Sequence, residues 1–269
     1  MLILKMTESF WGPSLVAGVI DGVSGLYEPS GGPQLFNGKS GGQAVCEIVN
    51  QIISNTQPSE SLEDLLLAAN EKIELHAISQ GIHLNRSDIL PGAAFAIAKV
   101  DQETVEIIQG ADCLAVWQKS DGVINATRNQ VFPYEAEWRR ILTNLLGKYE
   151  GDRNKAWEQL IPVLCADRLE RVNRRVSGYA LLNGQQTLSE CWQKITFPRA
   201  DIRFLFLFTD GLIPFEESGN AETLGKMIVS LFKQGGLKAI LERTRSIEEA
   251  TKTESHIDHA EATGIAIEP

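Results

Sequence analysis

The sequence predicts an α+β fold: a four-layer α-β-β-α sandwich of two antiparallel sheets flanked by helix pairs. Three observations predict it. The most apolar run, Phe204-Leu205-Phe206-Leu207-Phe208, is too short to span a membrane and reads as a strand buried on both faces. Short β-type runs cluster between 93 and 127 and again before 208, separated by turn residues. Two separate pairs of helical segments each need an apolar surface to cover, and a stack of two sheets supplies two.

Taken in order, Leu15-Val16-Ala17-Gly18-Val19-Ile20 is a strand, and the Pro- and Gly-rich stretch 27–33 is a loop. From 40 to 56, Ala44, Val45, Ile48, Val49, Ile52 and Ile53 recur at helical spacing, and Gly41-Gly42 lets the start of that helix pack closely. A second helix begins at Ser61, capped together with Asp64. Strands are expected at 93–100, 104–109, 113–118 and 123–127, as one meander of hairpins. The stretch 134–175 is helical in texture and long for a connection; it is expected to be an insertion in a single domain spanning 1–269, with Pro162 starting or kinking a helix rather than sitting inside one. Strand texture returns at 176–182, 188–197 and 202–208. Helical periodicity follows at 221–233 and 236–243, and Gly264-Ile265-Ala266-Ile267 closes the chain as a strand.

At 269 residues, 43% hydrophobic and 22% charged, the composition is ordinary for a globular chain. The net charge of -10 argues against a nucleic-acid partner. The densest basic cluster, Arg168, Arg171, Arg174 and Arg175, is expected on the solvated face of a helix. Four scattered cysteines without a C-x-x-C pair read as reduced core residues of a cytoplasmic protein. No apolar run is long enough for a membrane span, so no membrane partner is expected.

Three Asp-Gly pairs punctuate the chain. Asp121-Gly122 stands between polar residues and a β run, the signature of a hairpin turn. Asp21-Gly22 and Asp210-Gly211 instead end the two most apolar strands, where a buried strand holds the next side chain rigidly. These two aspartates are the candidate chemistry.

With those motifs in place, the chain resembles the PPM family of metal-dependent, type-2C serine/threonine phosphatases. The resemblance runs through Val19-Ile20-Asp21-Gly22-Val23-Ser24-Gly25, Gly92-Ala93-Ala94-Phe95-Ala96, Gly110-Ala111-Asp112-Cys113-Leu114-Ala115, Phe208-Thr209-Asp210-Gly211-Leu212 and Glu261-Ala262-Thr263-Gly264-Ile265, in the family's order. It implies two Mg²⁺ or Mn²⁺ ions, with Asp21 bridging both, the Gly22 carbonyl on one and Asp210 on the other. It further implies an activated water attacking a phosphoprotein substrate.

The chain departs from the family at both ends. Glu8 is the candidate for the first acidic ligand, with no arginine before it for the substrate phosphate, and Lys5 lacks the bidentate fork. Ala260 falls where the family places its last metal-binding aspartate, leaving Asp258 or Glu261 to replace it. His256 and His259 are expected in a polar loop, and Asp112 in a turn. Two functions therefore stand: a two-metal protein phosphatase with Asp21 and Asp210 essential, and alternatively a pseudophosphatase kept as a binding or regulatory module. A serine hydrolase is the weakest reading, since Gly22-Val23-Ser24-Gly25 is one residue short of the G-x-S-x-G elbow.

Overall fold

Phenylalanine and leucine alternate along 204–208, and a strand sends successive side chains to opposite faces. The computed structural model describes residues 2–9, 12–25, 35–36, 38–55, 59–251 and 261–268. In it Leu205 and Leu207 enter one core cluster while Phe206 and Phe208 enter another. The run is buried on both faces, as its composition predicts.

The elements in chain order are β1 (Leu2–Ser9), β2 (Gly12–Val23), β3 (Leu35–Phe36), β4 (Lys39–Ser40), α1 (Gly41–Ser54), α2 (Leu62–Ser79), β5 (Gly92–Val100), β6 (Thr104–Gly110), β7 (Leu114–Lys119), β8 (Ile124–Ala126), α3 (Phe132–Lys148) and α4 (Arg153–Arg171). They continue with β9 (Gln193–Pro198), β10 (Ile202–Phe208), α5 (Phe215–Ser218), α6 (Ala221–Thr251) and β11 (Gly264–Ile267). One antiparallel sheet has the order β1-β2-β5-β6-β9 and the other β11-β10-β7-β8, with β3 and β4 forming a small ribbon.

The α-β-β-α layering follows from which face each side chain takes. Along β5, Ala94, Ala96 and Ala98 face inward with Ala17 and Val19 of β2, and they meet Ala115, Leu205 and Leu207 of the second sheet. Phe95 and Ile97 point the other way, onto Val45, Val49 and Ile53 of α1 and Leu62, Leu66 and Ile73 of α2. Leu224, Ile228, Val229 and Ile240 of α6 cover Phe206 and Phe208, whose burial contributes roughly 2–3 kcal/mol each. α6 is interrupted at Gly235 and at Gly236, where φ is +68°, so it supplies the expected second helix pair.

The caps match the sequence: the Ser40 Oγ accepts from Gln43 N at 3.2 Å, and the Ser61 Oγ from Asp64 N at 3.0 Å. Asp121-Gly122 forms the β7–β8 turn, with Gly122 at φ +90° and Asp121 Oδ1 accepting from Val123 N.

Four expectations change. The strands of 93–127 are not one meander: β6 and β7 lie in different sheets, and the chain crosses between layers at Gly110-Ala111-Asp112-Cys113. The stretch 176–182 is held by isolated bridges, Val172 to Tyr179 and Ala93 to Leu182, and 188–197 shortens to β9 after a 3-10 turn at Gln186–Glu190. Pro162 sits inside α4. It is exposed, as is Glu158 four residues earlier, so the carbonyl left without a donor faces water. Arg174 and Arg175 fall beyond the end of α4 and are not part of a helical face. Among the described residues, no helix is long and apolar enough to cross a membrane.

Candidate functional site

Asp21 lies near the end of β2, in register with Ala94 of β5. Asp210 follows β10, and Thr209 between them is clipped to the approach of β11. The Thr209 N–H donates to the Thr263 carbonyl and the Thr209 Oγ1 accepts from the Thr263 N–H, each at 3.0 Å. These two strand ends, one from each sheet, bring the Asp21 and Asp210 carboxyls into a mutual hydrogen bond. Burial raises both, and the charge of Asp21 helps push Asp210 up to about 6. Two carboxyls in such contact hold one proton between them and titrate as a pair.

Asp112 joins them from the crossover. It follows Ala111, whose φ of +61° is uncommon outside glycine. Two buried glutamines hold that conformation: Gln130 Oε1 accepts from Ala111 N and Ala180 N, and Gln109 Nε2 donates to the Ala111 carbonyl. Burial first, then the charges of Asp210, Asp21 and Glu135, keep the Asp112 carboxyl well above the usual range. Glu135, in the first turn of α3, is raised by burial, and Arg139 one turn on donates to its Oε1 at 2.9 and 2.7 Å. The Arg139 guanidinium also lies 4.1 Å above the Phe215 ring and lowers Asp210 by its charge.

Two thiols border the acids. Burial pushes Cys46 up to about 11 and Cys113 well above the usual thiol range, so both remain thiols and neither is a nucleophile at neutral pH. Gly22 packs against Gly42 of α1 backbone to backbone.

The residues expected from sequence divide three ways. Asp21, Gly22 and Asp210 come together with Asp112. Glu261 is exposed, yet its charge raises Asp21, which places it within electrostatic reach of the pair. Glu8 lies on β1 opposite Pro13, whereas Asp258, His256 and His259 lie outside the described residues. Asp112 occupies the expected turn, and that turn is part of the site. Glu135 and Arg139 carry no motif; only the length of the 134–175 stretch marks their region.

No family model matches the sequence, and no curated protein matches it. Solved structures share its fold. A bacterial serine phosphatase carrying an arginine-to-lysine substitution aligns with TM-score 0.53 at 12% identity, over 98% of this chain and 89% of its own. A bacterial serine phosphatase with an arginine-to-alanine substitution gives 0.51 at 10% identity, over 99% and 90%. The serine/threonine phosphatase Stp1 from Staphylococcus aureus gives 0.50 at 12%, over 93% and 83%. The chain has the fold of these phosphatases.

The donor set of this site is made of oxygen. Carboxylates pressed together under mutual repulsion, beside a backbone carbonyl, suit a hard divalent cation rather than a thiophilic one. Asp21, Asp210 and the Gly22 carbonyl are the groups that would hold it. Among the described residues no group of three or more His, Cys, Asp or Glu side chains is placed to hold a metal ion by itself.

Proposed function

We propose that this protein is a divalent-metal phosphatase hydrolysing phosphoserine and phosphothreonine on other proteins, with Asp21 and Asp210 essential. The observation that carries the reading is the hydrogen-bonded Asp21–Asp210 pair, built on two strand ends of a serine/threonine phosphatase fold. Mg²⁺ or Mn²⁺ ions, when bound, supply Lewis acidity and an activated water for in-line attack on phosphorus.

The chain's own residues do the rest. Asp21 and Asp210 give up their shared proton to present two carboxylates and the Gly22 carbonyl on one side. Asp112 extends the acidic wall, fixed by Gln109 and Gln130. Glu261 adds negative charge from the approach to β11, and Glu8 and Asp258 remain the candidates for further ligands. Arg139 presents a guanidinium at the rim, held by Glu135 and the Phe215 ring, where it pairs with substrate phosphate oxygens. This answers the lack of an arginine before Glu8. The four free cysteines support a reducing, cytoplasmic setting, and α3 and α4 form an insertion that contributes to substrate recognition.

The test is Mn²⁺-dependent release of phosphate from a phosphopeptide by the wild type, Asp21→Ala and Asp210→Ala. Equal rates in all three overturn the proposal. A second reading, a pseudophosphatase acting as a binding module, is favoured by Ala260 and by the lack of an arginine before Glu8. Calorimetry with Mn²⁺ separates the two: two tight sites support the enzyme, and at most one weak site supports the module.

A further inference from the structure

A polar cavity of about 330 Å³ opens where the chain leaves α4. Arg128, Arg174 and Arg175 line it, with Gln130, Ser177 and Glu190. None of Asp21, Asp112, Glu135 or Asp210 lines it, so it is separate from the acidic cluster. In a chain of net charge -10, three guanidiniums facing a single carboxylate leave a surplus of two positive charges there.

The partners of these arginines show how much capacity is left. Arg175 pairs with Glu190 at 2.6 Å, which keeps that carboxylate neutralised. Arg174 makes a long bond of 3.4 Å from Nη2 to the Leu169 carbonyl. The Arg128 guanidinium forms no hydrogen bond or ion pair among the described residues, while its backbone is fixed by Gln193, whose Oε1 accepts from Arg128 N and whose Nε2 donates to the Arg128 carbonyl. In the lining of the same cavity, Ser177 holds φ at +55°, a costly conformation for serine, and its carbonyl accepts from the Tyr134 hydroxyl at 2.7 Å and from Arg171 Nη1 at 3.1 Å. The cavity thus sets one guanidinium with its bonding capacity unspent, that of Arg128, and one held only by a long bond, that of Arg174, into a wall whose backbone is braced.

We infer that this cavity binds a phosphate monoester group, with Arg128 and Arg174 as its forks. Arginine forks match the oxygens of a phosphate bidentately, and the dianion balances the surplus charge. The volume lies in the range of small-ligand pockets and exceeds what a bare ion needs, leaving space for the organic part of the ester. Gln130 stands in the cavity wall and also fixes Ala111 beside Asp112, so the bound phosphate is a neighbour of the acidic cluster without entering it.

The binding test needs no catalysis, and therefore fails or succeeds independently of the proposed phosphatase activity. The full chain, in chelator, is titrated calorimetrically with inorganic phosphate, with a phosphoserine peptide and with its unphosphorylated counterpart. Saturable binding of a phosphate species is expected, weakened about tenfold or more by Arg128→Gln or Arg174→Gln, as for loss of one charge-assisted hydrogen bond, and unchanged by Arg203→Gln, an exposed arginine outside the cavity. Tighter binding of the phosphopeptide assigns the pocket to a phosphorylated substrate segment, and equal binding assigns it to free phosphate; both support the site. Arg128 and Arg174 are both exposed, so the variants should melt like the wild type. Absence of saturable binding, equal affinity in the Arg128 and Arg174 variants, or equal affinity for the unphosphorylated peptide overturns it.

Discussion

Asp21 and Asp210 meet across the two sheets in a hydrogen bond, and the carboxyl of Asp210 is held at about 6 by burial and by its partner's charge. An acid with a raised folded-state value binds its proton more tightly in the fold than in the unfolded chain. Stability contributed by that proton is complete at low pH and is lost as pH rises from about 4 to 6, the interval between the ordinary 3.8 and the folded value. In chelator, Asp210→Asn should therefore stabilise the protein at pH 7 by on the order of 2 kcal/mol and change little near pH 3.5. Denaturant unfolding at the two pH values checks this. The same variant should lose phosphatase activity, a stability gain coupled to a functional loss.

Arg139 should govern substrate affinity rather than the chemical step. Replacing it with alanine should lower kcat/KM on a phosphopeptide by about tenfold to a hundredfold, mostly through KM, as for loss of a charge-assisted bond. Arg139→Lys should recover only part, because an ammonium cannot offer the fork. An unchanged KM in Arg139→Ala would remove α3 from the phosphate site.

Much of the fold was legible because it rests on local patterning. The alternation in 204–208 states that both faces of β10 are buried, and Ser40 and Ser61 mark the helix starts they cap. Asp21 and Asp210 were legible because an apolar strand runs straight into each. The sheet change between β6 and β7 was not, since a crossover and a hairpin present the same Gly-Ala-Asp to a reader of sequence. For the same reason Asp112 reads as a turn residue although it faces the carboxylate pair. Glu135 and Arg139 look like an ordinary i,i+4 helix pair, and only the packing of α3 beside Asp210 gives them a second meaning.

Thr209 joins the end of β10 to the start of β11 and leads directly into Asp210. Thr209→Val keeps the volume but leaves the Thr263 N–H without its acceptor in a partly buried position. It should cost about 1–3 kcal/mol, the usual penalty for an unsatisfied buried donor, read as a lower denaturation midpoint. Activity should fall further than stability explains, because Asp210 and Glu261 both lie within two residues of this clip.

The contact of Gly22 with Gly42 allows a sharper test, because it separates packing from glycine as such. A Cβ on Gly42 would lie 2.6 Å from the Gly22 carbonyl carbon and 2.8 Å from its oxygen, and backbone atoms cannot rotate aside. Gly42→Ala must push α1 away from β2 at the residue following Asp21, and should cost about 1–3 kcal/mol, the range for overpacking a tight contact. Gly147, inside α3, has nothing within 4 Å of the same virtual atom. Gly147→Ala should then be neutral or stabilise by about 0.5–1 kcal/mol through helix propensity. Thermal melts of the two variants should move in opposite directions, and only Gly42→Ala should lower the affinity for Mn²⁺ measured by calorimetry. A Gly42→Ala protein as stable as wild type would mean that the layers yield at this contact, and that Asp21 is not held by the close approach of helix and strand.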